Sequence, residues 1–203
     1  HNTAHVGAPT ELSSLTEKQR TALRAGSFGF IFQQGLLVPE LTTEENVALA
    51  AMLAGTPREQ ASMAATHLLS QLGLGTMLQR RIGELSGGQA QRVAIARSQV
   101  TGAPITFADE PTGALNSATA LQILDLLGEI HASGTTLVMV THDVEAAAQA
   151  DAVAVMSSGH LVTWSETRDA ARIAELVHSA RMPTRTPGHV PASPAPAPAL
   201  SAC

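Results

Sequence analysis

Two short apolar segments separated by one amphipathic helix constrain this chain most. Ile105-Thr106-Phe107-Ala108 ends in Asp109-Glu110-Pro111, and the β-branched stretch Thr135 to Val140 ends in Thr141-His142-Asp143. Between them, Thr119 to His131 places Leu121, Leu124, Leu127 and Ile130 on one side of a helix. A crossover of that kind returns the chain to the same end of the sheet, so the two strands run parallel. The pattern predicts an α/β fold with a largely parallel sheet. It sets Asp109, Glu110 and His142 at strand carboxyl ends, where such sheets bind ligands.

The remaining segments fit that class. Ser14 to Arg24 reads as a short helix, and Phe28 to Phe32 as a buried strand stopping at Gln33-Gln34-Gly35. Thr43 to Leu53 reads as a helix with Glu44 and Glu45 in its first turn, where the helix dipole favours acids. Gly55-Thr56-Pro57 breaks it. Arg58 to Leu72 then carries Ala61, Ala65, Leu68, Leu69 and Leu72 at helical spacing, closed by Gly73. A further helix follows Ser86 through Val93, Ala96 and Arg97. Val144 to Gln149 is helical, and Val153–Met156 with Leu161–Trp164 form a hairpin. Residues 34–100 are expected as a helical subdomain within a domain spanning 1–182. Residues 183–203 turn to Pro, Ala and Ser and are expected as a disordered or polyproline-like tail.

Composition excludes several functions. The chain has 203 residues and a single lysine, Lys18, in Glu17-Lys18-Gln19. A P-loop, G-x-x-x-x-G-K-S/T, needs a lysine to reach the β- and γ-phosphates, so none is present in this sequence. Aromatic content is 2%, which leaves almost nothing to stack on bases, and a net charge of −5 without a basic stripe argues against nucleic-acid partners. The one cysteine, Cys203, forms no intrachain disulfide, and no Cys/His grouping has zinc spacing; a reducing, cytosolic setting fits. The longest apolar run, Val47 to Ala54, is far short of the about 20 residues that span a bilayer. No signal peptide is visible, and the first residue is His1, as in a processed start or a fragment.

The chemistry-bearing residues begin at Leu85-Ser86-Gly87-Gly88-Gln89. Ser86 can cap a helix whose glycine-entered first turn exposes N–H groups to a phosphate. An isolated Ser-Gly-Gly is better read as a plain capped helix. Here it sits among other features in fixed order. Asp109 could hold Mg²⁺, and Glu110 could polarise an attacking water. Gly113-Ala114-Leu115-Asn116 follows the acids directly, Gln33 ends the first strand, and the imidazole of His142 could contact a γ-phosphate.

Together these residues resemble the nucleotide-binding subunit of ABC transporters over about residues 5 to 165. On that resemblance Gln33 matches the Q-loop glutamine, Leu85 to Gln89 the LSGGQ signature, and Ile105 to Asp109 the Walker B strand. Glu110 matches the catalytic glutamate, Ala114 to Asn116 the D-loop, and His142 the switch histidine. Phe30-Ile31-Phe32-Gln33, Pro39-Glu40-Leu41-Thr42 and Asp109-Glu110-Pro111-Thr112-Gly113-Ala114-Leu115 look like the lipoprotein-release, cell-division and macrolide or antimicrobial-peptide export branch.

The resemblance implies a P-loop NTPase-like core with an inserted helical subdomain, ATP and Mg²⁺ as ligands, and a head-to-tail dimer with a second such domain. Ser86, Gly87, Gly88 and Gln89 would face the γ-phosphate held by the partner, with Asn116 at the same interface. Gln33 and Asp109 would serve Mg²⁺, and Glu110, His142 and Gln33 the hydrolysis. The 34–100 lobe would meet a membrane permease, which places the chain on the cytoplasmic face of the cell membrane. The first strands and the Walker A loop are missing from the sequence, so the expectation is an N-terminally truncated cassette, inactive alone. The alternative is a non-catalytic partner subunit or pseudogene product that lends its signature to an intact ATPase. Two residues depart from the family pattern: Asn116 where Asp is usual, and Thr106 where the Walker B strand is apolar.

Overall fold

The computed structural model of the chain describes residues 12–33 and 36–181. The expected tail, Cys203 and the Gln34-Gly35 stop lie outside them. Three parallel strands, β1 (Phe28–Phe32), β2 (Ile105–Asp109) and β3 (Thr136–Val140), lie side by side in that order. Their registers put Phe32, Asp109 and Val140 in one row at the carboxyl end. Helix α1 (Glu17–Gly26) precedes β1. Between β1 and β2 the chain forms α2 (Thr43–Leu53), α3 (Arg58–Gln71) and α4 (Gly87–Gln99), and α5 (Ser117–Ala132) joins β2 to β3. After β3 come the one-turn helix α6 (Val144–Ala147), the antiparallel hairpin β4 (Val153–Ser157) and β5 (His160–Ser165), and α7 (Ala170–Arg181).

Helix starts are set by side chains that satisfy the first orphan N–H groups. Thr42 accepts from the Glu45 N–H at 3.2 Å while the Glu45 carboxylate accepts from the Thr42 N–H at 2.9 Å. Ser86 and Gln89 form the same reciprocal box on α4, and Thr16 and Gln19 on α1. The cap at Thr16 explains why α1 starts at Glu17 rather than Ser14; Leu12–Ser14 is a separate 3-10 turn.

Two apolar clusters form the core, and α4 belongs to both. Val93 and Ala96 join Val47, Ala48, Ala51, Ala61, Ala65, Leu69 and Leu74 in the cluster among the helices. Ile95 points the other way, to Ile31, Ala108, Ile123 and Leu127 on the sheet. The alanines let α2, α3 and α4 approach closely, which compensates for the scarcity of aromatic residues. The buried stripe of α5 is Ile123 and Leu127, flanked by Leu126 and Ile130. Leu121, read from sequence as part of it, is 57% exposed. Successive three-residue steps each fall about 60° short of a full turn, so four leucine-type residues at that spacing drift off one face.

Thr106 is fully buried in β2, and its hydroxyl accepts from Gln99 Nε2 at 2.9 Å. That bond removes the desolvation penalty expected of a polar group in a strand interior. The other face of the sheet carries all four phenylalanines, with Phe107 stacked on Phe30 at 5.6 Å and edge-on to Phe28 at 5.4 Å. Val138 and Val140, in register with Phe107 and Asp109, are 41% and 60% exposed. Helix α7 was not anticipated; Asp169 caps it through the Ala171 and Arg172 N–H groups, and Ile173 is buried. Among the described residues no helix is long and apolar enough to cross a membrane.

Candidate functional site

The row Phe32–Asp109–Val140 means that Gln33, Glu110 and Thr141 emerge together, one residue beyond three neighbouring strand ends. Glu110 stands in the left-handed backbone region, at φ 46°. A non-glycine residue there costs on the order of 1–2 kcal/mol and persists only when its surroundings hold it. They do so from both ends. Its N–H donates to Val140 O at 2.9 Å, and its carbonyl accepts from the Gly113 N–H at 3.1 Å. Its Oε1 accepts from the His142 N–H at 2.9 Å and lies 2.7 Å from His142 Nδ1, while Oε2 accepts from the Thr141 hydroxyl at 3.3 Å. A carboxylate only accepts, so this contact places a proton on Nδ1 and leaves Nε2 to face outward. The His142 side chain is 76% exposed and that of Glu110 20%.

Gln33 lies against the loop that follows the acids. A methyl group at Gly113 would come within 2.9 Å of Gln33 Nε2 and 3.5 Å of Glu110 Cβ, so a larger residue there would push the Gln33 amide out of its present position. The segment after Gln33 is pinned from two sides. Arg97 Nη1 donates to Leu36 O at 2.7 Å, and buried Asn46 exchanges bonds with Val38 N and Val38 O at 2.7 and 3.0 Å. Burial lowers the Arg97 guanidinium below its ordinary pKa, though arginine remains charged throughout the physiological range.

Gln33, Asp109, Glu110 and His142 are therefore brought together. Gly87 and Gly88, in the turn that starts at Ser86 and ends at Gln89, lie against Leu115 at the far end of the same loop and Thr119 at the start of α5. Asn116 caps α5, accepting from the Thr119 N–H at 3.0 Å. Asn and Asp rank alike as caps, so this departure keeps the local structure. Two residues were missed in the sequence. Thr141 orients Glu110, and the buried Gln91 donates to Phe32 O at 3.4 Å, tying α4 to the end of β1. A polar side chain among Ala90, Val93, Ala94 and Ile95 was the available signal.

A profile of the ABC transporter family matches residues 8–113. The chain belongs to the ABC transporter family. It is 44% identical over 158 residues to the macrolide export ATP-binding/permease protein MacB of Aggregatibacter actinomycetemcomitans, covering 78% of this chain and 24% of that protein. It is 39% identical over 183 residues to the probable syringafactin export ATP-binding/permease protein SyfD of Pseudomonas syringae pv. tomato, covering 90% of this chain and 27% of that protein. The chain thus spans about a quarter of the curated ABC relatives it matches. Among solved structures, the ADP- and Pi-bound dimer of the ATP-binding cassette MJ0796 superposes with a TM-score of 0.68 at 34% identity, covering 77% of this chain and 69% of that one. The fold is that of an ABC ATPase cassette, with the parallel sheet and helices of the P-loop NTPase class.

Proposed function

We propose that this chain is the ATP-hydrolysing portion of an ABC exporter, working at the cytoplasmic face of a membrane through a permease and paired with a second cassette. The observation that carries this reading is the Glu110–His142 contact at the ends of adjacent strands, flanked by Gln33 and Asp109. Export is inferred from the macrolide and syringafactin exporters it resembles; cargo choice belongs to the permease.

In this reading Glu110 orients and deprotonates the attacking water, and its anchored carboxylate spends no energy reorganising during the reaction. His142 presents Nε2 to the transferring phosphoryl group. Ser86, Gly87 and Gly88 offer the open first turn of α4 to the phosphate held by the partner cassette. Asp109 and Gln33 would hold Mg²⁺. The donor set fits an ion carried by the nucleotide: among the described residues no cluster of three His, Cys, Asp or Glu could bind a metal alone, and Mg²⁺ commonly takes one or two carboxylates with phosphates and water. Bound there, the ion would neutralise charge developing on the phosphate oxygens.

No P-loop lysine occurs in the 203 residues, so this polypeptide by itself is expected to bind no ATP. Calorimetric titration with Mg-ATP tests this, and robust hydrolysis lost on Glu110→Gln would overturn it. The competing reading, a subunit that only lends Ser86 and its glycines to an intact partner, is separated by the DNA upstream of codon 1. An in-frame G-x-x-x-x-G-K-S/T there supports the hydrolysing cassette, and a native start codon near residue 1 supports the lending subunit.

A further inference from the structure

The first turn of α4 is seated on the start of α5 and the residue before it, and at Gly88 there is no room for a side chain. A Cβ at Gly88 would lie 2.4 Å from Thr119 Cγ2, and one at Gly87 would lie 3.4 Å from Leu115 Cδ2. One turn further along both helices, Arg92 Nη2 donates to Gln122 Oε1 at 3.1 Å. The two helices therefore meet along a seam of Gly87–Leu115, Gly88–Thr119 and Arg92–Gln122. At its lower end lie the capping bonds of both helices, Ser86 to Gln89 and Asn116 to Thr119.

The Thr119 methyl is a poor candidate for moving aside. It sits on a β-branched side chain in a helix, where threonine has only two common χ1 rotamers and either keeps a heavy atom near the contact. Its backbone N–H is held by Asn116. The contact is thus a stop against which α4 rests, and it fixes the depth of the Ser86–Gln89 turn relative to the 113–116 loop.

We propose that Thr119 is a positioning residue for the signature turn, and that Gly88 is glycine for this contact within its own chain as well as for approach to a phosphate. In a head-to-tail pair the α4 turn would face the partner's nucleotide, and Thr119 and Leu115 set its position against the 113–116 loop of its own chain. This rests on the reading of Ser86–Gln89 as phosphate-facing.

The test is a double-mutant cycle in the 203-residue chain. Alanine ranks above glycine in helices, so in an unobstructed helix Gly88→Ala would raise the melting temperature. Overpacking against Thr119 is expected instead to lower it by roughly 4 to 8 °C. Thr119→Ala alone is expected within about 2 °C of the parent. Combined, the two should recover the loss, since the methyl that meets the new side chain is gone. The second readout is the amide spectrum. Thr119→Ala should move the Gly87, Gly88 and Gln89 resonances while leaving residues 93–99 in place, which general loosening would not do. A stabilising Gly88→Ala, additive single effects, or unmoved Gly88 and Gln89 amides would each overturn the proposal. Should Gly88→Ala fail to fold, recovery of folding in the double variant and the Thr119→Ala spectrum decide. Neither readout uses nucleotide, so a failure here leaves the phosphate assignment standing, and loss of that assignment leaves the packing result intact.

Discussion

Glu110 Oε1 lies 2.7 Å from His142 Nδ1 and 2.9 Å from the backbone nitrogen of the same residue. One carboxylate oxygen thus fixes both the position of the histidine backbone and the tautomer of its ring. The same pair of bonds adds to the Val140 and Gly113 backbone bonds that hold Glu110 in its left-handed conformation. Chemistry and backbone strain are satisfied by one contact.

Stability and hydrolysis should separate at this position. Glu110→Gln keeps an oxygen that can accept from His142 and is expected to melt near the parent. Glu110→Ala keeps the left-handed backbone and loses its anchor, which should cost about 2 kcal/mol. That corresponds to a fall of roughly 4 to 8 °C for a chain of this size. Thermal melts of both variants check the order. In a protein that also supplies a P-loop, both variants are expected to lose hydrolysis.

Asn116 offers a second separation. Asn116→Ala removes the α5 cap and should cost about 1 kcal/mol, whereas Asn116→Asp, the usual family residue, should be close to neutral. Urea melts that show both substitutions equally costly would mean that the side chain does something besides capping.

The Thr106 hydroxyl and Gln99 amide are coupled across the α4–β2 contact. Gln99→Leu is expected to cost about 1–2 kcal/mol by leaving the buried Thr106 hydroxyl without this partner, and Thr106→Val less, because Gln99 Nε2 keeps its bond to Ser98 Oγ, with the double variant losing less than the sum. Denaturant titrations of the four proteins measure that coupling. Strict additivity would place the stabilisation elsewhere.

Acid should weaken α2 through Glu45. Its carboxyl is held below the ordinary value of 4.5, chiefly by the Thr42 backbone N–H, with slight desolvation opposing and the Thr42 hydroxyl, Arg58 and Arg81 assisting. A lowered folded-state pKa means that the contribution is complete above the unfolded value and fades as pH falls from 4.5 toward the lowered one. Melting temperatures of the parent and Glu45→Ala should differ at neutral pH and converge on the acid side of 4.5. Thr42→Ala removes the hydroxyl half of the same box and should cost about 1 kcal/mol at neutral pH.

The sheet face bearing Phe30, Phe107, Val138 and Val140 predicts the behaviour of the chain in solution. Parallel sheets are ordinarily covered on both faces. With Val138 and Val140 this exposed, the chain is expected to bind a hydrophobic dye and to self-associate as concentration rises. Val138→Thr with Val140→Thr should reduce both, read by fluorescence and sedimentation. A monomeric, dye-silent parent would count against this.

The strands and their order of chemistry were legible in the sequence because β-branched and aromatic runs end abruptly at polar residues. The cap at Ser86 was legible as a short polar side chain before a helix, and the structure adds Thr42 and Asn116 in the same role. What could not be read was contact across the sheet. Nothing local announces that Glu110 turns left-handed to meet His142, 32 residues on, or that Gly88 rests on Thr119 rather than only on a ligand. Leu121 misled because composition marks it as core while its angle on α5 does not. Helix α7 escaped notice although Asp169 and Ile173 carry a cap and a buried anchor. Its apolar residues recur at helical spacing at least as clearly as those of α5, so the signal was present in the sequence.

The level row of Phe32, Asp109 and Val140 has a consequence for how such a chain can vary. One residue added to or removed from any of the three strands would rotate its terminal side chain to the opposite face and shift it by about 3.3 Å. Strand lengths are therefore locked to one another, while the connections that join α2, α3 and α4 can absorb insertions without disturbing the row. Variation in length among natural or engineered forms is expected to collect in those connections, and deletion scanning would show strand positions as intolerant and helix connections as permissive.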